Sequence, residues 1–76
     1  MKETIRTLDV VALLRDYTDR KIVSGQVGTV VEILEDGVFE VEFSDEHGRA
    51  YAMCALKEED LMPLHYRPIL AAGKAS

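Results

Sequence analysis

The chain has 76 residues and a formal net charge of −5 at pH 7, with 47% hydrophobic and 30% charged residues, which predicts one small domain that folds rather than staying disordered. Its longest uncharged run, residues 22–31, is shorter than the roughly 20 residues of a membrane span, and the amino terminus lacks the apolar core of a signal peptide, so we expect a cytoplasmic protein. The single cysteine, Cys54, excludes an internal disulfide and a cysteine-rich zinc site, and we interpret it as a small buried residue.

The amino-terminal part contains an apolar run that periodicity alone does not assign. Residues 1–8 are predicted to form an arm ahead of the folded domain. In residues 9–17, Asp9 could cap a helix, whereas two β-branched residues at the start of the run and a turn-forming end favour a strand. We therefore expect a first strand here and a folded domain spanning residues 9–64.

A long connection, residues 16–26, leads into the second strand. Ile22 and Val23 are expected to be its apolar anchor. Gly25 and Gly28 form a Gly-x-x-Gly sequence, which also occurs in RNA-binding loops. In a small acidic domain we interpret both as turn residues, with Gly28 marking a bend or bulge where the strand begins.

Residues 25–43 predict a β-hairpin and define the phase of the sheet. Asp36 and Gly37 form a pair that readily reverses the chain, and both flanking runs are rich in Val, Ile and Phe. Period-2 alternation places the acidic side chains on the outer face and the apolar ones in the core. The outer pair is Glu40 and Glu42, and the inner set is Phe39, Val41 and Phe43.

A three-residue loop, residues 35–37, keeps the apolar side chains of both strands on one face. Gly37 then takes a positive φ in a bulge. The expected pairs are Ile33 with Phe39, Val31 with Val41, and Thr29 with Phe43. A two-residue loop would instead place Glu32 beside the phenylalanines, and burying an unpaired carboxylate costs several kcal/mol. The chosen register leaves Glu32 opposite Glu40 on the outer face, which is mildly unfavourable.

Acidic residues are concentrated in this hairpin and in the turn that follows. Residues 32–46 contain seven Asp or Glu and no Lys or Arg, whereas residues 61–76 contain two basic residues and no acid. Such a surface repels nucleic acid, because phosphate contacts dominate nucleic-acid affinity. We interpret it as a solvated strand face protected from edge pairing, with a site for a basic partner as the alternative.

The rest of the chain continues a meander. We predict a turn at residues 44–49 with Gly48 at positive φ, a strand at 50–56, one turn of 3₁₀ helix at 57–60, and a short strand at 61–64 that Pro63 confines to an edge. His47 and His65 are the only histidines, and no ligand spacing accompanies them. We therefore expect no metal site and no cofactor.

Residues 65–76 are predicted to form a carboxy-terminal tail beyond the folded domain. The tail carries three large apolar side chains, Tyr66, Ile69 and Leu70, which a disordered terminus has no reason to carry together. We predict that these side chains, with Arg67, form a self-association site in a homodimer. The alternative is that the tail folds back and covers an open end of its own domain.

Five segments of the chain carry a family resemblance. They read Asp9-Val-Val-Ala-Leu-Leu-Arg-Asp, Gly25-x-Val-Gly-Thr-Val-Val-Glu, Phe39-Glu-Val-Glu-Phe, Gly48-Arg and Asp60-Leu-Met-Pro-Leu. Over residues 9–64 the chain resembles a family of short bacterial proteins known as a domain of unknown function, number 4926. The resemblance implies an all-β fold, a small five-stranded SH3-like barrel, and no catalytic residues. Gly25-Gln-Val-Gly-Thr-Val-Val is more loosely similar to the KOW motif of ribosomal proteins and transcription factors.

The leading functional hypothesis is a small non-catalytic SH3-like module that binds another protein or a copy of itself. The alternative is a KOW-like nucleic-acid-binding domain, against which the acidic hairpin argues. The candidate residues of that alternative are Arg15, Arg20, Lys21 and Arg49. An enzyme is disfavoured, because the cysteine, the two histidines and the scattered carboxylates form no recognisable catalytic constellation.

Overall fold

The computed structural model describes residues 4–68 and contains one five-stranded antiparallel sheet. The strands are β1 (Val10–Leu13), β2 (Val27–Glu35), β3 (Val38–Ser44), β4 (Ala50–Lys57) and β5 (Leu61–Pro63). Single turns of 3₁₀ helix, Thr18–Arg20 and Glu58–Asp60, precede β2 and β5. The all-β prediction is confirmed, and none of the described residues forms a helix long and apolar enough to cross a membrane.

The sheet is a meander whose two edges are joined by a short connection. Its strand order is β4-β3-β2-β1-β5, so β4 and β5 are the edges although they are neighbours in sequence. In a flat sheet four strand spacings of about 4.8 Å would separate them by roughly 19 Å, and the four Cα steps between them span at most roughly 14 Å. The sheet is therefore curled and barrel-like. It is not closed, because within residues 4–68 β4 pairs only with β3, and β5 only with β1.

Most predicted strands lie where the sequence placed them, but the first is shorter. It covers Val10–Leu13 rather than residues 9–17. Beyond it, Tyr17 forms an isolated bridge with Ile22, which folds the connection back on itself and ends the ladder early. Ile22 is fully buried as predicted, whereas Val23 is exposed.

The β2–β3 hairpin keeps the predicted inner face of β3 but not the predicted register of β2. Gly37 has a φ of +78°, and Ile33 pairs with Phe39, both as predicted. Two bulges in β2, at Val31 and Leu34, shift the rest of the ladder, so the other two predicted pairs are wrong. The observed pairs are Glu35 with Val38, Glu32 with Glu40, Val30 with Val41, Thr29 with Glu42, and Gly28 with Phe43.

Because of the bulge at Val31, the valine that faces the core is Val30 and not the predicted Val31. Val30 is fully buried, whereas Val31, which was predicted to lie in the core, is only partly buried. Ile33, the other predicted core residue of β2, is 48% exposed. The last pair of the hairpin is Glu35 with Val38, so the loop between them contains two residues rather than the predicted three. The extra residue lies instead in the bulge at Leu34.

The core draws on every strand and on two segments outside the strands. Its buried apolar residues are Ile5, Val11, Leu13, Ile22, Val30, Phe39, Val41, Phe43, Cys54, Leu56 and Leu61. Ile5 belongs to the predicted amino-terminal arm, so the core includes a residue outside the predicted domain, residues 9–64. The boundaries of that domain remain predictions. Cys54 is buried as predicted.

Candidate functional site

A turn ahead of β1 holds Leu8 in an unusual conformation. The Asp9 amide donates to the Arg6 carbonyl oxygen (3.0 Å), and the Arg6 amide donates to Asp9 Oδ2 (2.8 Å). The Leu8 amide donates to the Val30 carbonyl oxygen (2.6 Å), which ties the turn to β2. Leu8 has a φ of +76° in this turn. That region favours glycine and asparagine, and a leucine there carries about 1 to 2 kcal/mol of strain.

Leu8 is also strongly exposed, with 73% of its surface accessible to solvent. Neither a backbone preference nor burial in the core therefore accounts for a leucine at this position. Strained residues cluster at functional sites, where a requirement other than stability maintains them. Leu8 is accordingly a candidate contact residue.

Leu8 lies beside the segment that follows β5, and the two form a shallow groove. The Leu64 amide donates to the Val10 carbonyl oxygen (2.9 Å), which fixes this segment against β1. Leu64 and Tyr66 are 37% and 91% exposed. The groove has a volume of about 420 Å³, and its lining includes Leu8, Asp9, Val10, Leu64, Tyr66 and Arg67. We call its three exposed apolar side chains, Leu8, Leu64 and Tyr66, the terminal patch.

Two of the four residues predicted for self-association, Tyr66 and Arg67, line this groove. The other two, Ile69 and Leu70, lie outside the described residues. Sequence reasoning missed Leu8, because its positive φ depends on the hydrogen bonds of the turn. The pairing of β1 with β5 brings it next to the carboxy-terminal segment, and no local sequence signal reports that proximity.

Asp60, in the turn before β5, is a charged side chain that is buried to 5% exposure. The Tyr17 hydroxyl donates to Asp60 Oδ2, and Arg15 Nη1 lies 3.8 Å from Asp60 Oδ1. The Leu14 amide donates to the Asp60 carbonyl oxygen (2.8 Å). The hydrogen bond to Asp60, and after it burial, raise the pKa of Tyr17 above its ordinary value. Together these contacts fasten the β1–β2 connection to the turn before β5.

Two guanidinium groups lie over the ring of Tyr17. The Cζ atoms of Arg15 and Arg20 are 5.2 Å and 5.4 Å from the ring centroid, within the range of cation–π attraction. Lys21 follows Arg20 directly in the sequence, whereas Arg49 lies just before β4. The fold thus gathers two of the four residues of the nucleic-acid hypothesis around one aromatic ring.

Replacing Tyr17 with phenylalanine removes the hydroxyl donor from the buried Asp60 carboxylate. We expect Tyr17→Phe to lower the free energy of unfolding by about 2 kcal/mol at neutral pH, the usual order for a hydrogen bond to a charged group. Urea unfolding of both proteins measures the change.

The same pair has a defined pH dependence. Because the pKa of Tyr17 is raised in the folded protein, the neutral hydroxyl stabilises the fold fully below the pKa of the unfolded chain, about 10. This stabilisation is lost as the pH rises through the pKa of Tyr17 in the folded protein. The stability difference between native protein and Tyr17→Phe should therefore narrow above about pH 10. A difference that stays constant in that range would show that folding does not raise the pKa of Tyr17.

The cysteine and the histidine before β4 take no part in the hydrogen bonds and ion pairs of these groups. Cys54 faces the core, and His47 Nε2 lies 3.6 Å from Glu46 Oε2 in the exposed turn before β4. Within residues 4–68, no three His, Cys, Asp or Glu side chains are placed to hold a metal ion.

Comparison with known proteins assigns the chain to a family. No curated protein and no solved structure is significantly similar to this chain. A family model matches residues 7–63, from the turn that presents Leu8 to the end of β5. The chain therefore belongs to the family described as Domain of unknown function (DUF4926).

Proposed function

We propose that the protein is a non-catalytic protein-interaction module that self-associates through the terminal patch. The observation that carries this proposal is Leu8, a large apolar side chain that is 73% exposed and held at positive φ. Glycine or asparagine would relieve the strain, and a polar side chain would be better solvated. A leucine is favoured at this position only when a partner covers it.

A second copy of the chain is the partner that fits the groove best. Asp9 and Arg67 both line the groove beside the apolar side chains. In a two-fold contact the same surface meets itself, so Arg67 of each copy can pair with Asp9 of the other. The sequence beyond the groove adds two further large apolar residues, Ile69 and Leu70, to the predicted contact.

The energetic balance supports association at moderate protein concentration. A chain of this size buries only about 60% of the surface of its unfolded state, so additional burial against a second copy is favourable. Covering Leu8 or Tyr66 contributes about 1.5 to 3 kcal/mol for each side chain before ordering costs are subtracted. Two copies double that contribution.

Leu8→Asn separates the conformational effect of the leucine from its contact effect. Asparagine adopts positive φ readily, so the isolated subunit should gain up to about 1 kcal/mol in free energy of unfolding. Because the apolar contact is lost from both copies, the dissociation constant of the dimer should rise at least about tenfold. Urea unfolding at the lowest protein concentration measures the free energy of unfolding, and sedimentation over a concentration series measures the dissociation constant.

Leu34→Thr is the matched control, because Leu34 is an exposed leucine (45%) at the tip of the β2–β3 hairpin. It should leave the dissociation constant unchanged. A chain ending at Leu64, which lacks Tyr66, should sediment as a monomer beside a dimeric full chain. If the two chains both sediment as monomers, self-association through this surface is wrong.

A nucleic-acid-binding function is the second candidate, favoured by Arg15 and Arg20 beside the Tyr17 ring. Both arginines already have an acidic neighbour at 3.8 Å, Asp60 for Arg15 and Asp19 for Arg20, which weakens their attraction for phosphate. Binding of a random oligonucleotide that falls steeply with salt concentration would support this candidate over the module.

A further inference from the structure

The two edges of the sheet differ in how well they are protected from pairing. β5 is three residues long and contains Pro63, and both features oppose the addition of another strand. β4 is eight residues long, and residues 50–56 contain no proline and no charged side chain. Natural proteins shield such an edge with charge, proline or a covering segment. The β4 edge is therefore a place where a further strand can add.

The main chain of β4 has groups that point away from the sheet. Arg20 Nη1 donates to the Ala55 carbonyl oxygen (3.3 Å) from outside the β3–β4 ladder, so this carbonyl faces the open edge, and an added strand would take the place of Arg20 there. In antiparallel pairs the main-chain groups of alternate residues point the same way, so the Met53 amide and carbonyl face that edge too. A groove of about 460 Å³ runs beside it. The groove is lined by Arg20, Tyr51, Ala52, Met53, Cys54 and Ala55.

On the outer face next to this edge, glutamates of β3 lie opposite the residues of β4 whose main-chain groups face the edge. Met53 lies directly opposite Glu42, and Ala55 directly opposite Glu40. Glu40 lies opposite Glu32 in turn, and like charges directly opposite each other are destabilising. No Lys or Arg in the described part of the chain forms an ion pair with these glutamates. Within residues 4–68, no ion pair with a basic side chain balances the charge of this face.

We propose that β4 takes an extended segment of a different protein as a sixth strand, and that this segment carries Lys or Arg at two positions separated by one residue. Side chains two positions apart on a strand share a face, so the two basic side chains would lie beside Met53 and Ala55. The glutamates of β3 are then two strand spacings, roughly 10 Å, from the added main chain. An extended Lys or Arg side chain covers most of that distance, and the small Ala55 side chain leaves the path to Glu40 open.

The occupant of this edge is not a second copy of the chain. The sequence contains no two Lys or Arg residues separated by a single residue. Antiparallel pairing of β4 with itself about Met53 would also bring Arg49 of each copy close to Lys57 of the other, and these like charges repel. A segment of another protein can carry the required pair of basic residues without placing Arg49 opposite Lys57. The net charge of −5 favours the approach of such a basic segment.

This surface is separate from the terminal patch, because the groove beside β4 and the groove beside Leu8 share no lining residue. The strand-addition proposal rests on main-chain groups of β4 and on the glutamates of β3. Self-association rests on Leu8, Leu64 and Tyr66. Either proposal can fail while the other holds.

A display library of random peptides about nine residues long, selected against the full-length protein, provides the probe for this edge. We expect the selected peptides to carry Lys or Arg at two positions separated by one residue. A selected peptide should slow hydrogen exchange at the amides of Met53 and Ala55, which face the open edge. The amides of Cys54 and Leu56, which face β3, should be protected before the peptide is added.

Met53→Pro removes an outward amide without removing a hydrogen bond to β3, and edge strands accept proline at such positions. It should abolish binding of the selected peptides, whereas Met53→Ala, the matched control, keeps the amide and should retain binding. The double substitution Glu40→Gln with Glu42→Gln should weaken binding roughly threefold to thirtyfold. Because it changes only outward-facing side chains, it tests the proposal even if Met53→Pro does not fold.

Five results would overturn the proposal. The selection yields no peptides, or it yields peptides without the basic pair. The selected peptides bind Met53→Pro, or the double glutamine variant, as tightly as the native protein. The amides of Met53 and Ala55 are already protected in the protein alone, which would mean that another part of the chain or a second copy covers the edge.

Discussion

Phe43→Ala should lower the free energy of unfolding by about 3 to 5 kcal/mol. Phe43 is among the largest fully buried side chains, and its ring centroid lies 6.4 Å from that of Tyr51. A domain of 76 residues has a total stability of roughly 4 to 11 kcal/mol, so this loss is a large part of the whole. Urea unfolding should show a much lower midpoint, or a protein that is already unfolded in buffer.

Glu40→Gln is the control from the same strand, because Glu40 lies on the outer face of β3. It should change the free energy of unfolding by less than about 0.5 kcal/mol, with a small gain expected from reduced repulsion between Glu40 and Glu32. A larger loss for Glu40→Gln than for Phe43→Ala would mean that the faces of β3 are assigned the wrong way round.

The phase of β3 could be predicted from the sequence because every central residue prefers one face. Glu40 and Glu42 alternate with Phe39, Val41 and Phe43, and burying either carboxylate would cost far more than exposing one apolar side chain. A one-residue slip would exchange all of them at once. The structure confirms this alternation.

The register of β2 could not be predicted in the same way. Val30, Val31, Ile33 and Leu34 are all apolar, so Glu32 alone in this run prefers the outer face, and it lies opposite Glu40 in the predicted and in the observed register alike. Nothing in that run marks where an extra residue is inserted, and the bulges at Val31 and Leu34 therefore leave no local signal. A strand with apolar residues on both faces fixes its register only through its neighbours.

Only some residues of the candidate surfaces could be predicted from the sequence. Tyr66 and Arg67 stand out in the sequence because they lie beyond the last strand, whereas Leu8 has a positive φ that only the turn geometry shows. The β4 edge was predicted as a strand, but its edge position and its alignment with Glu40 and Glu42 follow from long-range pairing. Local pattern identifies residues that can make contacts, and topology determines which of them share a surface.

Gly28→Val should lower the free energy of unfolding by about 3 kcal/mol, the upper part of the range for overpacking. A Cβ atom at Gly28 would lie 2.7 Å from Val41 Cγ1 and 3.0 Å from both the Glu42 carbonyl oxygen and Phe43 Cδ1. The Glu42 oxygen belongs to the main chain of β3, so it cannot move away without disturbing the β2–β3 ladder. Gly28 thus permits the close approach of two strands within a regular pair, and it does not mark the bend or bulge that its sequence context predicts.

Gly25 provides the comparison, because its backbone conformation favours glycine there and a close neighbouring atom does not. It has a φ of +95°, and an added Cβ atom would meet no heavy atom within 4 Å. Gly25→Ala should therefore lose only about 1 kcal/mol, from backbone strain. Gly25→Asn should recover most of that loss, since asparagine accepts positive φ, whereas Gly28→Ala should remain destabilised because any Cβ atom meets the same neighbours. If Gly28→Ala unfolds at the same urea concentration as the native protein, the close approach of β2 to β3 is not what requires glycine at this position.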